Sequence, residues 1–287
     1  MIIQWYPGHM AKTKRLMKEK LKLIDVVVEL LDARLPISSR NPDIAEIIGA
    51  KPVVIALNKS DLADENKTRQ WVEWYGGQGV KVVPICCIDG KGINNLKRAI
   101  TDVLAEKKAR DSARGMIGRA IKVMVVGVPN VGKSAFVNKL SGRAAAATGD
   151  RPGVTRDQQW IRIEGGYELL DTPGVLWPKF EDKQVALNLA FAGTIKEEIM
   201  DVEEIASGLC CFLRDEYKEN FAERYKLVGF EDKEGWEILE MIGRKRGFLI
   251  SGGEVDLRRA ALILLDEFRA AKIGRVTLEV PDEINGA

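Results

Sequence analysis

The chain has 287 residues, 46% of them hydrophobic and 30% charged, with a formal net charge of +2. That is enough apolar material for about two packed domains. No apolar run reaches membrane-spanning length and no secretory or transit presequence precedes Trp5, so a membrane protein is excluded and a soluble cytosolic chain is expected.

In chain order, a basic stretch comes first: Lys12, Lys14, Arg15, Lys18, Lys20 and Lys22 are interrupted only by Glu19, while Met10, Met17, Leu21 and Ile24 suit one helical face. Such a face is either a solvated helix surface or an electrostatic footprint for RNA. There follow a predicted strand Leu23–Leu31, helix Pro42–Ile48, strand Val53–Leu57, helix Lys67–Tyr75, strand Lys81–Ile85, helix Ile93–Ala109, strand Ile121–Val126 and helix Lys133–Leu140. This alternation predicts a doubly wound α/β sheet. The charged run from Lys107 to Gly115 reads as a hinge between its two halves. From residue 179 the pattern turns helical, with predicted helices Lys183–Phe191, Val202–Glu216, Glu219–Tyr225, Trp236–Met241 and Glu254–Arg269. Residues 1–178 are on balance basic and residues 179–287 acidic, with Arg244-Lys245-Arg246 and Arg258-Arg259 as local cationic spots; the tail from Val276 carries no readable pattern. Two domains are expected, 1–178 and 179–287.

Three motifs end predicted strands. Asn58-Lys59-Ser60-Asp61 closes the run Val53–Leu57. A carboxylate there can accept from both the N1–H and the exocyclic amine of guanine, a pattern adenine lacks, so Asp61 argues for GTP over ATP. Gly127-Val128-Pro129-Asn130-Val131-Gly132-Lys133-Ser134 lies between an apolar strand and a helix. Gly127 and Gly132 let backbone N–H groups, Val131's among them, turn onto a polyphosphate at a helix N-terminus. Lys133 supplies a cation for the β- and γ-phosphates, and the Ser134 hydroxyl a Mg²⁺ ligand. Asp171-Thr172-Pro173-Gly174 ends the strand-like Tyr167–Leu170: Asp171 would hold Mg²⁺ and the Gly174 N–H would sense the γ-phosphate. Thr155, with Thr148 as the competing hydroxyl, would complete the metal shell. The segment from Ile85 to Gly92 should support the base, with Cys86 and Cys87 where Ser and Ala are usual and a backbone N–H as the expected donor to the guanine oxygen. The four cysteines form two vicinal pairs, Cys86-Cys87 and Cys210-Cys211, with neither metal nor disulfide spacing.

The base-reading motif precedes the phosphate loop, the reverse of an ordinary small GTPase. That order, with the Cys86-Cys87 loop, Pro152-Gly153-Val154-Thr155-Arg156, Asp171-Thr172-Pro173-Gly174, the N-terminal Trp5-Tyr6-Pro7-Gly8-His9-Met10 and Asp32-Ala33-Arg34, resembles the circularly permuted GTPases of the YlqF, or ribosome biogenesis GTPase A, family. The resemblance implies a permuted doubly wound P-loop GTPase domain followed by a smaller helical domain. It implies a bacterial cytoplasmic enzyme, expected to be a monomer, that hydrolyses GTP to GDP with Mg²⁺. Its partners would be precursors of the large ribosomal subunit, their rRNA and ribosomal proteins. The alternative is an RNA-docking module that uses GTP with little hydrolysis.

Permutation also makes the segment after Gly174 the interdomain connector, so a γ-phosphate that orders it can bias what lies downstream. Val175 stands where Ras-like enzymes carry a water-orienting Gln. His9, the one histidine, is a candidate to position or deprotonate water, or else to stack on rRNA. Asn130 matches a position that, in the potassium-activated GTPases this loop resembles, helps hold K⁺ near the phosphates.

Overall fold

The structure, a computed structural model, describes residues 9–113, 115, 119–142, 159–163, 165–171, 182–195 and 201–281. The chain forms two compact units, one spanning Asp182–Val276 and the other Ile2–Glu181 together with Thr277–Ala287.

The larger unit is built on a six-stranded sheet in the order β3-β2-β1-β4-β6-β5. Its strands are β1 (Val26–Asp32), β2 (Val53–Asn58), β3 (Lys81–Pro84), β4 (Ile121–Val126), β5 (Gln159–Ile163) and β6 (Tyr167–Asp171). All pairs are parallel except β5 with β6. Every residue of β1 is buried, as the near-continuous apolar run of a parallel sheet covered on both faces demands. Strands added after β1 extend the sheet one way and those added after β4 the other. The order therefore reverses between β1 and β4, and the crevice at their C-terminal ends is where such sheets take ligands.

Helices cover both faces: α1 (His9–Leu21), α2 (Pro42–Ile48), α3 (Glu65–Gly77), α4 (Ile93–Val103), α5 (Ala105–Ala113) and α6 (Lys133–Ser141). Met17 and Ile24 are buried with Ile44 and Ile47 of α2, so the basic stretch is an amphipathic helix whose apolar side faces the core. One of its lysines, Lys14, pairs with Asp43. Asp64 caps α3, which begins at Glu65, two residues before the predicted Lys67, and its carboxylate accepts from Asn66 N and Lys67 N at 2.8 and 2.9 Å.

Three expectations change. The single helix predicted from Ile93 to Ala109 is two, parting at Leu104. The supposed hinge from Lys107 to Gly115 is helical as far as Ala113 and is tied down. Asp25, buried before β1, receives Lys107 Nζ, Arg119 Nη2 at 3.2 Å and the Lys122 amide at 2.9 Å. Finally, the tail from Thr277 belongs to the sheet unit rather than to the helical one.

The smaller unit holds α7 (Lys183–Phe191), α8 (Val202–Glu216), α9 (Lys218–Tyr225), α10 (Gly235–Arg246) and α11 (Leu257–Arg269). Alpha-8 carries the buried stripe Ile205, Leu209 and Leu213. Gly235 permits the closest approach to it, since a Cβ there would stand 2.1 Å from the Ser207 carbonyl oxygen. The cationic spots are partly spent internally: Arg244 pairs with Glu240, and Arg246 with Glu267 at 3.3 Å. Among the described residues no helix is long and apolar enough to cross a membrane.

Candidate nucleotide site

The loops after β3, β2, β1 and β4 leave the C-terminal edge of the sheet side by side. The register sets Asp32 of β1 opposite Asn58 of β2, and the Ala33 amide donates to the Asn58 carbonyl at 2.8 Å. Beta-4 delivers the phosphate loop directly into α6. Beta-6 brings the Asp171 backbone into register with Val125 of β4.

Asn58 is the cross-brace of this edge. Its Nδ2 donates to the Val131 carbonyl at 2.8 Å, and its Oδ1 accepts from the Cys87 amide at 3.2 Å. One buried side chain thus fixes the phosphate loop, the base-reading turn and the Cys86-Cys87 loop together. The fit is tight enough to require glycine: a Cβ on Gly132, whose φ is +101°, would lie 2.3 Å from Asn58 Nδ2. Gly127 (φ +154°) is equally confined, with the Leu30 carbonyl oxygen 2.6 Å from where a Cβ would stand. Asn130 holds φ +58° between them. A loop whose backbone passes this close to its neighbours, and which opens a helix at Lys133, has the form that cradles phosphates.

Lys133 is buried, its Nζ donating to the carbonyls of Gly127 at 3.1 Å and Val128 at 2.7 Å, which keeps the ammonium inside the curve of the loop. Ser134 follows at the start of α6. A second tie joins this helix to the base loop, Lys139 Nζ to the Ile88 carbonyl at 3.1 Å.

In the Cys86-Cys87 loop both amides donate within the protein, Cys86 to the Lys91 carbonyl at 3.0 Å and Cys87 to Asn58 Oδ1 at 3.2 Å, so these residues brace the loop. Their thiols are free and buried; burial pushes the Cys87 thiol up to about 12, with Cys86 adding to the shift, so neither is a ready nucleophile.

Behind Asp61 lies a charge network to which the sequence reading gave no role. Asp32 and Arg34, both buried, form a bidentate pair, Nε to Oδ1 at 2.9 Å and Nη2 to Oδ2 at 2.8 Å. Lys59, in the left-handed region at φ +60°, places its Nζ 3.0 Å from Asp32 Oδ2. Burial pushes the Asp32 carboxyl up, but Arg34 and then Lys59 outweigh it and hold it well below the usual carboxylate range. Burial disfavours the Arg34 charge, yet Asp32, helped by Asp61, raises its pKa further. The signal was present in the sequence: an Asp and an Arg follow an apolar strand beside Asn58-Lys59-Ser60-Asp61.

Of the remaining candidates, Thr155, Thr148, Gly174 and Val175 lie outside the described residues, as do the side chains of His9 and Asp171. Among the described residues no cluster of His, Cys, Asp and Glu could hold a metal ion. Of the expected Mg²⁺ set, Ser134 with Thr155 and Asp171, the Ser134 side chain is among the described residues, in the first turn of α6.

Residues 122–240 match the family model described as "50S ribosome-binding GTPase". Ribosome biogenesis GTPase A of Bacillus cereus is 46% identical over 283 residues, covering 99% of this chain and 95% of that protein. The chain belongs to the ribosome biogenesis GTPase A family. It is a GTPase, and the permuted order of motifs fits that family. The GDP-bound structure of Thermotoga maritima YlqF has a TM-score of 0.66 and 30% identity, covering 93% of this chain and all of the other. The GNP-bound structure of the same protein gives 0.65, with 30% identity and coverage of 94% and 99%.

Proposed function

We propose that this chain binds late precursors of the large ribosomal subunit in the bacterial cytoplasm and promotes their maturation through a GTP-dependent switch. The observation that carries the reading is the Asn58 brace, which joins a guanine-selective turn to a phosphate loop on a protein whose relatives are named for ribosome biogenesis.

In this reading Asp61 accepts from the guanine N1–H and amine, while Asn58 and Lys59 hold the turn and Cys86 and Cys87 close it from below. Backbone N–H groups from Asn130 to Ser134 take the phosphates, and Lys133 leaves its carbonyls to meet the β- and γ-phosphate oxygens. Mg²⁺, when bound, neutralises charge on those oxygens; Ser134, Thr155 and Asp171 would hold it. The Gly174 amide reports the γ-phosphate into the connector that leads to Asp182. His9 is the candidate to position the attacking water, since Val175 cannot.

The basic α1 supports an rRNA contact, its Arg15, Lys18 and Lys20 lying on the helix that carries the buried Met17, with Lys22 in the turn that follows. A monomer is the working unit. Single-turnover GTP hydrolysis, with and without large-subunit precursor particles, tests the reading. Acceleration by the particles is expected. Binding without any acceleration would favour a passive RNA-docking module.

A further inference from the structure

The last described residues of the chain are seated on the sheet unit, against both flanks of the base-reading turn. Thr277 Oγ1 accepts from the Asp64 amide at 3.0 Å, three residues beyond Asp61. The next residue, Leu278, donates its amide to the Arg34 carbonyl at 2.7 Å. Glu279 follows, and its carboxylate accepts from the amides of Ile37 at 2.7 Å and Ser38 at 3.0 Å and from the Ser38 hydroxyl. Its carbonyl in turn accepts from Trp71 Nε1 at 3.0 Å. Three consecutive residues therefore bridge the loop after β1 to the start of α3, and Asn58-Lys59-Ser60-Asp61 lies between those two anchors. Thr277 and Leu278 are buried, and charge-assisted bonds to two amides and a hydroxyl make Glu279 a strong anchor.

The anchored loop contains Arg34, which holds Asp32, which holds Lys59. The Arg34 backbone is therefore gripped by the tail while its side chain belongs to the network beneath the base-reading turn.

We propose that Thr277, Leu278 and Glu279 are positioning residues for guanine recognition, setting the placement of Asp61 through Arg34 on one flank and Asp64 on the other. The inference rests on the base-reading role given to Asp61. Its consequence is a second line of communication. The chain leaves the sheet unit before Asp182 and returns to it at Thr277, so the base side of the nucleotide site is linked to the end of the helical unit as the phosphate side is linked to its beginning. Such coupling is reciprocal: what steadies the tail tightens base reading, and guanine nucleotide steadies the tail.

The test uses the full chain and a pair of diphosphates that differ in the group Asp61 reads, GDP and IDP, the latter lacking the exocyclic amine. Affinities are measured calorimetrically for wild type, Thr277→Val and Glu279→Ala, together with amide hydrogen exchange of Leu278 in the wild type with and without GDP. The preference for GDP over IDP should fall by roughly fivefold or more in the variants. GDP should slow exchange at Leu278, and IDP should slow it less. Equal preference in wild type and variants would overturn the tail's role while leaving Asp61 as base reader, even if the variants melt earlier. No preference in the wild type would instead remove the base reading itself. Should the variants fail to fold, the wild-type exchange decides alone: a Leu278 amide indifferent to GDP contradicts the proposal.

Discussion

Asn58 Nδ2 lies 2.8 Å from the Val131 carbonyl oxygen, so two motifs 73 residues apart, in an order reversed by permutation, are hydrogen-bonded to one another. The contact depends on the sheet register, which sets β1 between β2 and β4, and not on the order of the motifs along the chain. The brace explains why the phosphate loop needs glycine at position 132.

Gly132→Ala should therefore act on both halves of the site. Alanine would be strained at φ +101° and would press on Asn58. Backbone strain of that kind costs about 1–3 kcal/mol, or roughly a five- to 150-fold loss of affinity. Calorimetric titration should show GDP and GTP weakened alike. A variant that binds both at wild-type strength would mean that the loop does not form this contact around the nucleotide.

Asp61→Asn replaces one acceptor oxygen with a donor facing the guanine N1–H and amine. Preference should move from GTP toward xanthosine triphosphate, whose 2-position bears an oxygen. Competition between the two nucleotides measures it. Unchanged GTP affinity would remove Asp61 as base reader.

Much of this site was legible because strand ends and motifs coincide. Strands β4 and β6 and helices α2, α7 and α8 follow directly from apolar runs and caps such as Asp182 and Asp201, whose carboxylates accept from amides of the first turn. Beta-5 was missed although Ile161 is buried and Trp160 and Arg162 are exposed, the alternation expected of an antiparallel edge. Short, charged and next to a glycine pair, it reads as loop unless its partner is known. The tail was illegible for a different reason. Thr277-Leu278-Glu279 has no period of its own, and its order comes from loop amides and Trp71 far away in sequence. The Asp32–Arg34 pair was visible as residues but not as a network, since a salt bridge between neighbours gains meaning only when Lys59 is brought beside it.

That network should appear in acid stability. The folded-state carboxyl of Asp32 is held below its unfolded value of about 3.9, so its contribution is complete above that pH and lost as pH falls below it. Asp32→Ala leaves Arg34 buried without its main partner and should cost about 3–5 kcal/mol near neutral pH. Urea unfolding monitored across pH 2–7 should show the gap between wild type and variant narrowing below about pH 4. A constant gap across that range would mean that the pair's charge does not carry its stability.

Val175 follows Gly174 where a glutamine would orient water, so hydrolysis must be switched on by other groups. Asn130 sits in the left-handed region at φ +58°, at the bend of the phosphate loop between Gly127 and Gly132. A side-chain oxygen at that bend could help hold a monovalent cation beside the phosphates, where positive charge offsets what develops in the transition state. Basal turnover should accordingly be slow, faster in K⁺ than in Na⁺, and accelerated further by precursor particles. The assay is GTP turnover in matched KCl and NaCl for wild type, Asn130→Ala and His9→Ala. Asn130→Ala should lose the K⁺ advantage while retaining GDP binding, because the amides that take the β-phosphate are unchanged. His9→Ala should keep the K⁺ advantage and lose particle stimulation. Equal wild-type rates in the two salts would exclude the cation, and full stimulation in His9→Ala would move water positioning to a group supplied by the particle.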